Sequence, residues 1–212
     1  MNEYVEIIKN KTIISPKTIL EIGSRDGDDA EYLRNVFGIS KKNVWVVEPN
    51  PNQFKSIEIK YPDINLIKNP IFNEEKNITF YAVNTNDKIL NGVSSLLNRK
   101  DNLYDKIETD KIQTRTMLGS ELLKKINSEI DLCKIDVEGA TYQIMESFDN
   151  LLSKIKSMHI ECEHREVWLE QKLYDDVSFF LKERNFIQVY FQYCSGDTLQ
   201  SDSIWVQKNF LK

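Results

Sequence analysis

The chain has 212 residues and a formal net charge of −5 at pH 7, with 41% hydrophobic and 29% charged residues. This composition can bury a core and lacks the charge imbalance of a disordered chain, so we expect a globular protein. The acidic balance argues against a nucleic-acid partner, because phosphate binding requires lysines and arginines concentrated on one surface. No apolar run reaches the roughly 18 residues of a transmembrane helix, so we expect no membrane span.

Cysteine usage and the N-terminal residues indicate a compartment. The chain has three cysteines, Cys133, Cys162 and Cys194, and no two of them form a CxxC pair. This pattern predicts neither a disulfide framework nor a zinc site. The N-terminus lacks the basic start and apolar middle of a secretory signal. We therefore expect a reduced, cytoplasmic protein with a single domain over residues 1–212. Residues 1–16 are expected to form an N-terminal helical extension that either covers the sheet or contributes to a homodimer contact.

Strand-like and helix-like segments alternate along most of the chain. The first apolar run, TILEI at 18–22, precedes a segment with apolar residues at helical spacing up to Gly38. Further helices are expected from Pro51, after Gly139 and over 170–183. Further strands are expected at 44–47, 63–68, 77–84, 110–117, 130–136, 155–164, 186–193 and 201–208.

This alternation predicts an α/β fold with a mostly parallel sheet and helices on both faces. The two closing strands are joined by the short turn CSGD, so they should pair antiparallel and the last strand should run against the others. Ligands of such sheets lie at the carboxyl ends of the strands, where the winding direction reverses. The predicted topology therefore places a ligand site at this edge of the sheet.

The segment EIGSRDG ends the first strand with Glu21 and two glycines, Gly23 and Gly27. Glycine allows a sharp turn and the close approach of a ligand to the backbone. The pattern differs from the GxGxxG of dinucleotide-binding proteins and is a weak signal by itself. Glu48 strengthens it, because a carboxylate at the end of the second strand can accept hydrogen bonds from both hydroxyls of a ribose. Together the two strand ends predict a nucleoside-type ligand.

The first loop is acidic, with Asp26, Asp28 and Asp29 following Glu21. A loop of this charge repels a pyrophosphate, whereas it attracts a ligand that carries an amino group or a sulfonium. The charge of the loop therefore favours S-adenosylmethionine over NAD as the nucleoside-type ligand.

Five segments resemble the FkbM-type S-adenosylmethionine-dependent methyltransferases in their order and spacing. They are ILEIGSRDGDDAEYL, VWVVEPNPNQF, GVSSL, IDLCKIDVEGATYQIMESF and MHIECEH, within about residues 18–165. The resemblance implies a Rossmann-like, seven-strand class I methyltransferase sheet with an antiparallel last strand. It also implies O-methyltransferase activity, in many members on sugar or polyketide hydroxyls. Thr141 departs from the family, in which an acid more often follows EGA.

The resemblance further implies a cofactor site. The first loop would hold the methionine part, Glu48 would bind the ribose hydroxyls, and Asp136 would face the sulfonium and the methyl group. Residues after the second and third strands would flank the adenine. The implied cofactor-binding residues are Glu21, Gly23, Ser24, Arg25, Asp26, Gly27, Glu48, Pro49, Asn50, Asn69, Pro70 and Asp136.

Two carboxylates and a histidine are candidates for the chemistry. Asp136 and Glu138 follow a buried strand in KIDVEGA, where they could act in catalysis or cap the next helix. His164 ends the neighbouring strand, where an imidazole could take the proton of an acceptor. His159 lies inside that strand and is interpreted as structural. We predict Asp136, Glu138 and His164 as catalytic residues and leave the identity of the general base open.

A divalent cation is a less favoured way to activate an acceptor hydroxyl. The carboxylates of Asp136, Glu161 and Glu163, together with His164, could hold Mg²⁺ or Mn²⁺, which would lower the pKa of that hydroxyl. Their spacing matches no dedicated metal motif. The sequence therefore leaves a metal as the minority alternative.

The long polar segment after residue 83 is expected to form a loop that closes over an acceptor. Its candidates are Ser94, Ser95, Asn98, Arg99 and Tyr104, although an ordinary surface loop is equally compatible with this composition. With an acid from the neighbouring strand end included, the predicted acceptor-binding residues are Ser94, Ser95, Arg99 and Glu163.

These observations favour an O-methyltransferase that acts on a hydroxyl of a small molecule, a sugar or a glycan. One alternative is a nucleoside-binding module of the same fold without chemistry. Another is an NAD-dependent oxidoreductase, which the acidic loop and the missing third glycine disfavour. The sequence does not identify the acceptor.

Overall fold

The computed structural model describes residues 1–85, 92–100, 108–194 and 199–212. The loop candidate Tyr104 and most of the CSGD turn lie outside these ranges. The described strands are β1 (Ile19–Ile22), β2 (Val44–Val47), β3 (Asn65–Ile67), β4 (Asn77–Ala82), β5 (Asp110–Arg115), β6 (Leu132–Ile135), β7 (Ser157–Glu163), β8 (Phe186–Tyr193) and β9 (Gln200–Gln207). The described helices are α1 (Asn2–Lys11), α2 (Asp28–Phe37), α3 (Pro51–Lys60), α4 (Gly119–Ile126), α5 (Thr141–Ser147) and α6 (Tyr174–Lys182), with short 3₁₀ helices at Lys41–Asn43, Asp149–Lys154 and Lys208–Phe210.

Within these ranges, seven strands form one sheet in the order β3–β2–β1–β6–β7–β9–β8. Five neighbouring strands of this sheet, β3, β2, β1, β6 and β7, pair in parallel. β9 pairs antiparallel with both β7 and β8, so it alone among them runs against the others. The predicted Rossmann-like sheet with an antiparallel last strand is therefore confirmed.

Helices cover both faces of this sheet, as predicted. One apolar cluster joins α1, α2 and α3 to the sheet through Ile8, Leu33 and Ile57. The other joins α5 and α6 to the opposite face through residues such as Ile144 and Leu181. Because the central strands are buried on both faces, their sequences are nearly continuous apolar runs.

The N-terminal helix α1 packs over the sheet. Tyr4 is fully buried, and its hydroxyl oxygen lies 2.7 Å from the hydroxyl oxygen of Ser157. The backbone N–H of Cys133 donates to the same Tyr4 oxygen at 3.2 Å. Of the two expectations for residues 1–16, a helix that covers the sheet is the one these contacts support.

Strands β4 and β5 form a separate two-stranded antiparallel sheet. Tyr81 of β4 exchanges two backbone hydrogen bonds with Ser95, at 2.8 and 3.1 Å. Phe80 packs with Leu96 and Trp168 in a third apolar cluster. This small sheet therefore fixes the segment around Ser95 beside the large sheet.

The winding direction reverses between β1 and β6. β2 and β3 continue on one side of β1, whereas β6 and β7 lie on the other. The ends of β1 and β6 approach so closely that a Cβ on Gly23 would lie 1.8 Å from the carbonyl oxygen of Asp136. Gly23 also has a φ of +78°, which favours glycine. This glycine is thus required by the contact between two strand ends, at the edge where α/β sheets bind ligands.

Candidate active site

A cavity of about 520 Å³ opens at the carboxyl ends of β1, β2, β6 and β7. Its volume lies in the range that is usual for cofactor and small-molecule sites. The sequence-predicted residues that line it are Gly23, Ser24, Arg25, Asp26, Glu48, Pro49, Pro70, Ser94, Ser95, Asp136, Glu138 and Glu161. Residues from separate strand ends and from the loop before residue 100 therefore meet at one site.

Glu48 joins the loops that follow β1 and β2. Its two carboxylate oxygens accept hydrogen bonds from the backbone N–H of Asn50 at 2.7 Å and from that of Arg25 at 2.8 Å. Burial raises the pKa of Glu48 to about 7, although these hydrogen bonds act in the opposite direction. Each carboxylate oxygen has a further lone pair, so Glu48 can still accept hydrogen bonds from a ligand.

Glu21 and Gly27 do not line the cavity, but they hold the elements that form its wall. Glu21 is 1% exposed and accepts a hydrogen bond from the Ala30 N–H, in the first turn of α2, at 3.1 Å. Burial raises the pKa of Glu21 to about 8, and the nearby Lys134 opposes this shift. Gly27 begins α2 with its N–H donated to the Ser24 hydroxyl at 3.0 Å. Both residues fix α2 against β1, one layer away from the predicted ligand.

The wall next to Glu48 is apolar and includes Val47, Pro49, Pro70 and Ile71. Two other residues that were expected beside an adenine have different contacts. Asn50 caps α3 by accepting a hydrogen bond from the Asn52 N–H at 3.1 Å. The side chain of Asn69 donates to the carbonyl of Arg115 at 3.0 Å. Neither asparagine lines the cavity, so the apolar residues form this part of the site.

Sequence reasoning missed Lys134, a cavity-lining lysine on β6. Its Nζ lies 2.6 Å from Asp29 Oδ2, 3.1 Å from Asp136 Oδ2 and 3.8 Å from Glu21 Oε1. Burial by itself would lower the pKa of Lys134, but these three carboxylates raise it, so the lysine stays charged. A lysine within the apolar run LCKI was the available signal, because a charge on a buried strand must find a partner.

Three carboxylates meet on the β6–β7 side of the cavity. One carboxylate oxygen from each of Asp136, Glu138 and Glu161 lies within 4.8 Å of the other two. Burial and the neighbouring negative charges raise the pKa of Glu138 and of Glu161 well above the ordinary range. Such a group can share a proton or a divalent cation. The cluster expected from the sequence consisted of Asp136, Glu161, Glu163 and His164. The structure keeps Asp136 and Glu161, but it adds Glu138 and includes neither Glu163 nor His164.

The backbone at Glu138 lies in the left-handed region, with a φ of 47°. Helix α5 has Ala140 at its N-cap position, without a hydrogen bond from a capping side chain. The alternative that Glu138 caps this helix is therefore not supported. The carboxyl group of Glu138 belongs to the cavity wall instead.

Two predicted acceptor-binding residues, Glu163 and Arg99, are not part of the cavity wall. Glu163 is 3% exposed and accepts a hydrogen bond from the Gln171 amide at 2.5 Å. Burial raises the pKa of Glu163 to about 7. The guanidinium of Arg99 lies 5.3 Å from the centre of the Trp168 ring. Both residues contact the segment that follows β7.

His164 is not brought to the cavity. Its Nε2 lies 2.8 Å from the hydroxyl oxygen of Ser201, and its ring stacks on Tyr174 with 4.8 Å between ring centres. It also contacts the rings of Phe191 and Tyr193. Successive residues of a strand point to opposite faces, so a position at a strand end does not decide which face a side chain takes. The predicted role of His164 as a base or metal ligand is not supported.

His159 has the environment of a structural histidine. Its ring stacks on that of Tyr4, with 5.8 Å between ring centres, and its Nε2 lies 3.4 Å from Asp202 Oδ1. Burial lowers the pKa of His159 to about 3, so the ring is neutral at physiological pH. This placement agrees with the sequence-based interpretation.

Solved methyltransferase structures share this architecture. The FkbM methyltransferase of Methylobacillus flagellatus KT aligns over 91% of this chain with a TM-score of 0.58 and 12% identity. M. capricolum TrmK, in complex with S-adenosyl-homocysteine, aligns over 100% with a TM-score of 0.55 and 14% identity. Magnesium protoporphyrin IX methyltransferase of Synechocystis PCC 6803, with bound SAM, aligns over 97% with a TM-score of 0.54 and 10% identity. The fold is therefore that of the Rossmann-like class I methyltransferases.

The family follows from the sequence itself. A profile of the FkbM methyltransferase domain matches residues 21–187, which is most of the chain, so the chain belongs to the FkbM methyltransferase family. It spans 44% of the length of the Methylobacillus structure, 70% of TrmK and 76% of the protoporphyrin methyltransferase. No curated protein matches its sequence. Within the described ranges, none of the helices combines the length and the apolar character needed to cross a bilayer.

Proposed function

We propose that this chain binds S-adenosylmethionine and transfers its methyl group to a hydroxyl of a sugar or glycan. Family membership supports methyl transfer, and the neighbours that hold S-adenosylmethionine or S-adenosyl-homocysteine support the donor. The observation that carries the O-methyl part of the proposal is the carboxyl group of Glu138. It lies in the cavity wall close to Asp136, on the β6 side of the site, whereas Glu48 follows β2 on the other side of β1.

The residues around Glu48 fit the nucleoside part of the donor. Glu48 accepts hydrogen bonds from the ribose hydroxyls, while the apolar wall beside it packs against the adenine. Ser24 and Arg25 contribute backbone groups to the methionine part, apart from the Arg25 N–H, which is donated to Glu48. The carboxylate of Asp26, which pairs with the Arg25 guanidinium at 2.9 Å, attracts the ammonium group of the methionine part. Asp136 places a negative charge beside the sulfonium. When bound, S-adenosylmethionine supplies an electrophilic methyl group.

The residues on the β6–β7 side fit the acceptor. A sugar hydroxyl must lose its proton as the oxygen–carbon bond forms and the carbon–sulfur bond breaks. Glu138 receives this proton, because a carboxylate with a raised pKa is an effective base near neutral pH. Glu161, whose Oε1 accepts a hydrogen bond from the Gln200 side chain at 3.2 Å, orients the acceptor beside it.

The charge of this end of the cavity favours a neutral acceptor. Asp136, together with Glu138 and Glu161 whenever they are ionised, would repel a phosphate group, and the phosphate would offer no cation to replace their protons. Structural neighbours include an rRNA methylase of Streptococcus thermophilus and a putative tRNA (m1A22) methyltransferase of Streptococcus pneumoniae, but an acidic cavity and a net charge of −5 do not fit a polyanionic acceptor. We therefore retain a sugar or glycan rather than a nucleic acid.

A metal ion is not required for this proton transfer. We expect methyl transfer to persist after treatment with EDTA, because Glu138 accepts the proton directly. Loss of activity in EDTA that is restored by Mg²⁺ or Mn²⁺ would indicate instead that the three carboxylates share a cation.

Calorimetry with S-adenosyl-homocysteine and NADH tests the donor. The proposal expects saturable binding of S-adenosyl-homocysteine and none of NADH. Glu48→Gln should weaken the binding of S-adenosyl-homocysteine by roughly tenfold, because the amide loses a charged acceptor of the ribose hydroxyls. Binding of NADH alone would overturn the proposal in favour of an oxidoreductase.

Mass spectrometry of methyl gain across a panel of neutral sugars and lysate glycans tests the reaction. Unchanged protein should add a methyl group to at least one acceptor. Glu138→Gln should reduce the rate by roughly 100-fold or more, the usual contribution of a general base, while S-adenosyl-homocysteine still binds. Donor binding without transfer to any acceptor would favour the non-catalytic binding module.

A further inference from the structure

The turn between β6 and α5 contains two consecutive residues with positive φ, Glu138 at 47° and Gly139 at 88°. Glycine adopts this conformation freely, whereas a residue with a side chain is strained in it. Strain of this kind persists only where the surrounding contacts hold the backbone in place. The contacts of this turn therefore determine where the carboxyl group of Glu138 lies.

Ser95 makes one of these contacts. Its hydroxyl donates to the carbonyl oxygen of Glu138 at 2.6 Å, and the residue is 1% exposed. Its hydroxyl oxygen also accepts a hydrogen bond from the Leu97 N–H at 3.0 Å. The two backbone hydrogen bonds to Tyr81 fix Ser95 to β4. Because none of these other bonds involves Glu138, Ser95 is an independent anchor for the turn.

Trp168 makes the second contact. A Cβ on Gly139 would lie 2.3 Å from Cδ1 of the Trp168 ring, so the ring lies directly against the backbone of this glycine. Trp168 is 3% exposed, and its segment is held by a hydrogen bond from the Leu169 N–H to the Asn98 carbonyl at 2.8 Å. The turn is thus enclosed between a hydrogen-bond donor and an indole ring.

We infer that Ser95 is a positioning residue for Glu138: its hydrogen bond to the Glu138 carbonyl, with Trp168 packed on Gly139, holds the turn that directs the Glu138 carboxyl group into the cavity. This inference rests on the proposed function of Glu138. It replaces the expectation that Ser95 binds the acceptor, because a serine hydroxyl has one proton and that of Ser95 is already donated.

Steady-state kinetics of Ser95→Ala test the inference. The variant should lower kcat by about tenfold, which is less than the complete loss of a general base would cost. The carboxyl group of Glu138 is still present, but its position is no longer fixed. The Kd for S-adenosyl-homocysteine and the KM for the acceptor should stay within about twofold, since the loss lies in the chemical step. A raised acceptor KM with an unchanged kcat would overturn the inference and return Ser95 to acceptor binding.

A double-mutant cycle distinguishes positioning from general damage. If Ser95 acts through Glu138, the Ser95→Ala change should not slow Glu138→Gln any further. If the two losses multiply, Ser95 acts elsewhere and the inference is wrong.

Ser157→Ala is the matched control for the loss of a buried serine hydrogen bond. The Ser157 hydroxyl also donates to a backbone carbonyl, that of Asp131, at 2.6 Å, but at the opposite end of the sheet. This variant should be less stable than the unchanged protein, yet it should keep its kcat at temperatures where it remains folded. A loss of kcat equal to that of Ser95→Ala would mean that destabilisation alone explains both.

A stability cycle tests the anchor without any acceptor or donor. Glu138→Ala and Glu138→Gly both remove the carboxyl group, but only glycine relieves the left-handed strain, so the glycine variant should melt about 2 °C or more higher. In a Ser95→Ala background this difference should shrink, because the turn can relax without its anchor. If the difference in melting temperature does not shrink, the inference is wrong even if methyl transfer is established. If it shrinks, the role of Ser95 as an anchor of the turn is supported even if methyl transfer is not established.

Discussion

The raised pKa of Glu138 predicts how methyl transfer depends on pH. Burial, together with the charges of Asp136 and Glu163, stabilises the protonated form of Glu138. The base is therefore lost as pH falls through a value well above the ordinary glutamate pKa of about 4.3. Single-turnover rates should decrease by about tenfold per pH unit on the acid side of that value. The profile of Glu138→Gln should be flat over the same range, and a flat profile in the unchanged protein would contradict the role of Glu138.

Lys134 predicts a large effect on stability. Lys134→Gln removes the cation that Asp29 and Asp136 share and that lies beside Glu21, so the free energy of unfolding should fall by about 2 kcal/mol, the contribution of hydrogen bonds to a charged group. Urea denaturation measures this change.

Lys156→Gln is the comparison for this lysine. Lys156 pairs with Glu129 and Asp131 at 2.8 Å each, at the other end of the same strands. Asp131 also accepts hydrogen bonds from the backbone N–H of Lys17 and Thr18, so it remains partnered when the lysine is lost. The loss of stability should therefore be smaller, and equal losses would show that Lys134 has no special importance.

The place of a residue in the site was predictable from the sequence where the end of a strand alone determines where the residue lies. Glu48 and Asp136 follow β2 and β6 directly, and both line the cavity. His164 also follows a strand, but it points to the α6 face and packs on Tyr174. The face of a side chain at a strand end depends on local twist and packing, which periodicity does not contain. Lys134 could not be assigned a role because, apart from Asp136, its partners Glu21 and Asp29 lie more than 100 residues away in the sequence.

Among the elements, the contact between β1 and β6 depends on Gly23. In Gly23→Ala the new Cβ would overlap the Asp136 carbonyl oxygen at 1.8 Å, so the two strand ends must move apart. We expect loss of S-adenosyl-homocysteine binding and destabilisation by about 3 kcal/mol or more, because backbone atoms cannot rotate away.

Gly38→Ala is the matched comparison for this glycine. Gly38 also has a positive φ, of +66°, but a Cβ there would meet nothing within 4 Å. Only the conformational strain of about 1 kcal/mol should remain, without an effect on ligand binding. Calorimetry and urea denaturation of both variants separate close packing from strain, and equal effects would contradict the importance of the β1–β6 contact.

The strands and helices were largely predictable from the sequence, whereas the pairing of some strands was not. Apolar runs and glycines indicated the strands of the large sheet, and the short final connection indicated an antiparallel pair. The sequence equally indicated β4 and β5 as strands, but it did not show that they form a sheet of their own. That pairing fixes Ser95 beside Glu138, so the positioning of the proposed base depends on a contact between elements far apart in the sequence.

At the scale of the whole molecule, several buried carboxyl groups with raised pKa values lie around one cavity, and they set how stability depends on pH. Burial raises the pKa of Glu21 to about 8 and that of Glu48 and Glu163 to about 7, whereas in the unfolded chain all three titrate near 4.3. The folded protein therefore binds more protons than the unfolded chain between these values. Stability falls with rising pH wherever the folded state binds more protons. His159, with a pKa of about 3, acts in the opposite sense only below its ordinary value of about 6.5.

We therefore expect the melting temperature of the ligand-free protein to fall by at least about 3 °C between pH 6.5 and 8.5, the shift that roughly 1 kcal/mol produces in a chain of this size. Scanning fluorimetry in buffers of constant ionic strength measures it. Glu48→Gln should reduce this slope because a glutamine does not titrate, whereas Glu183→Gln, at an exposed position of the chain, should leave it unchanged. A melting temperature that rises over this range would mean that these carboxyl groups are ionised in the folded protein, and the cavity would then lack the protonated acids on which its charge balance depends.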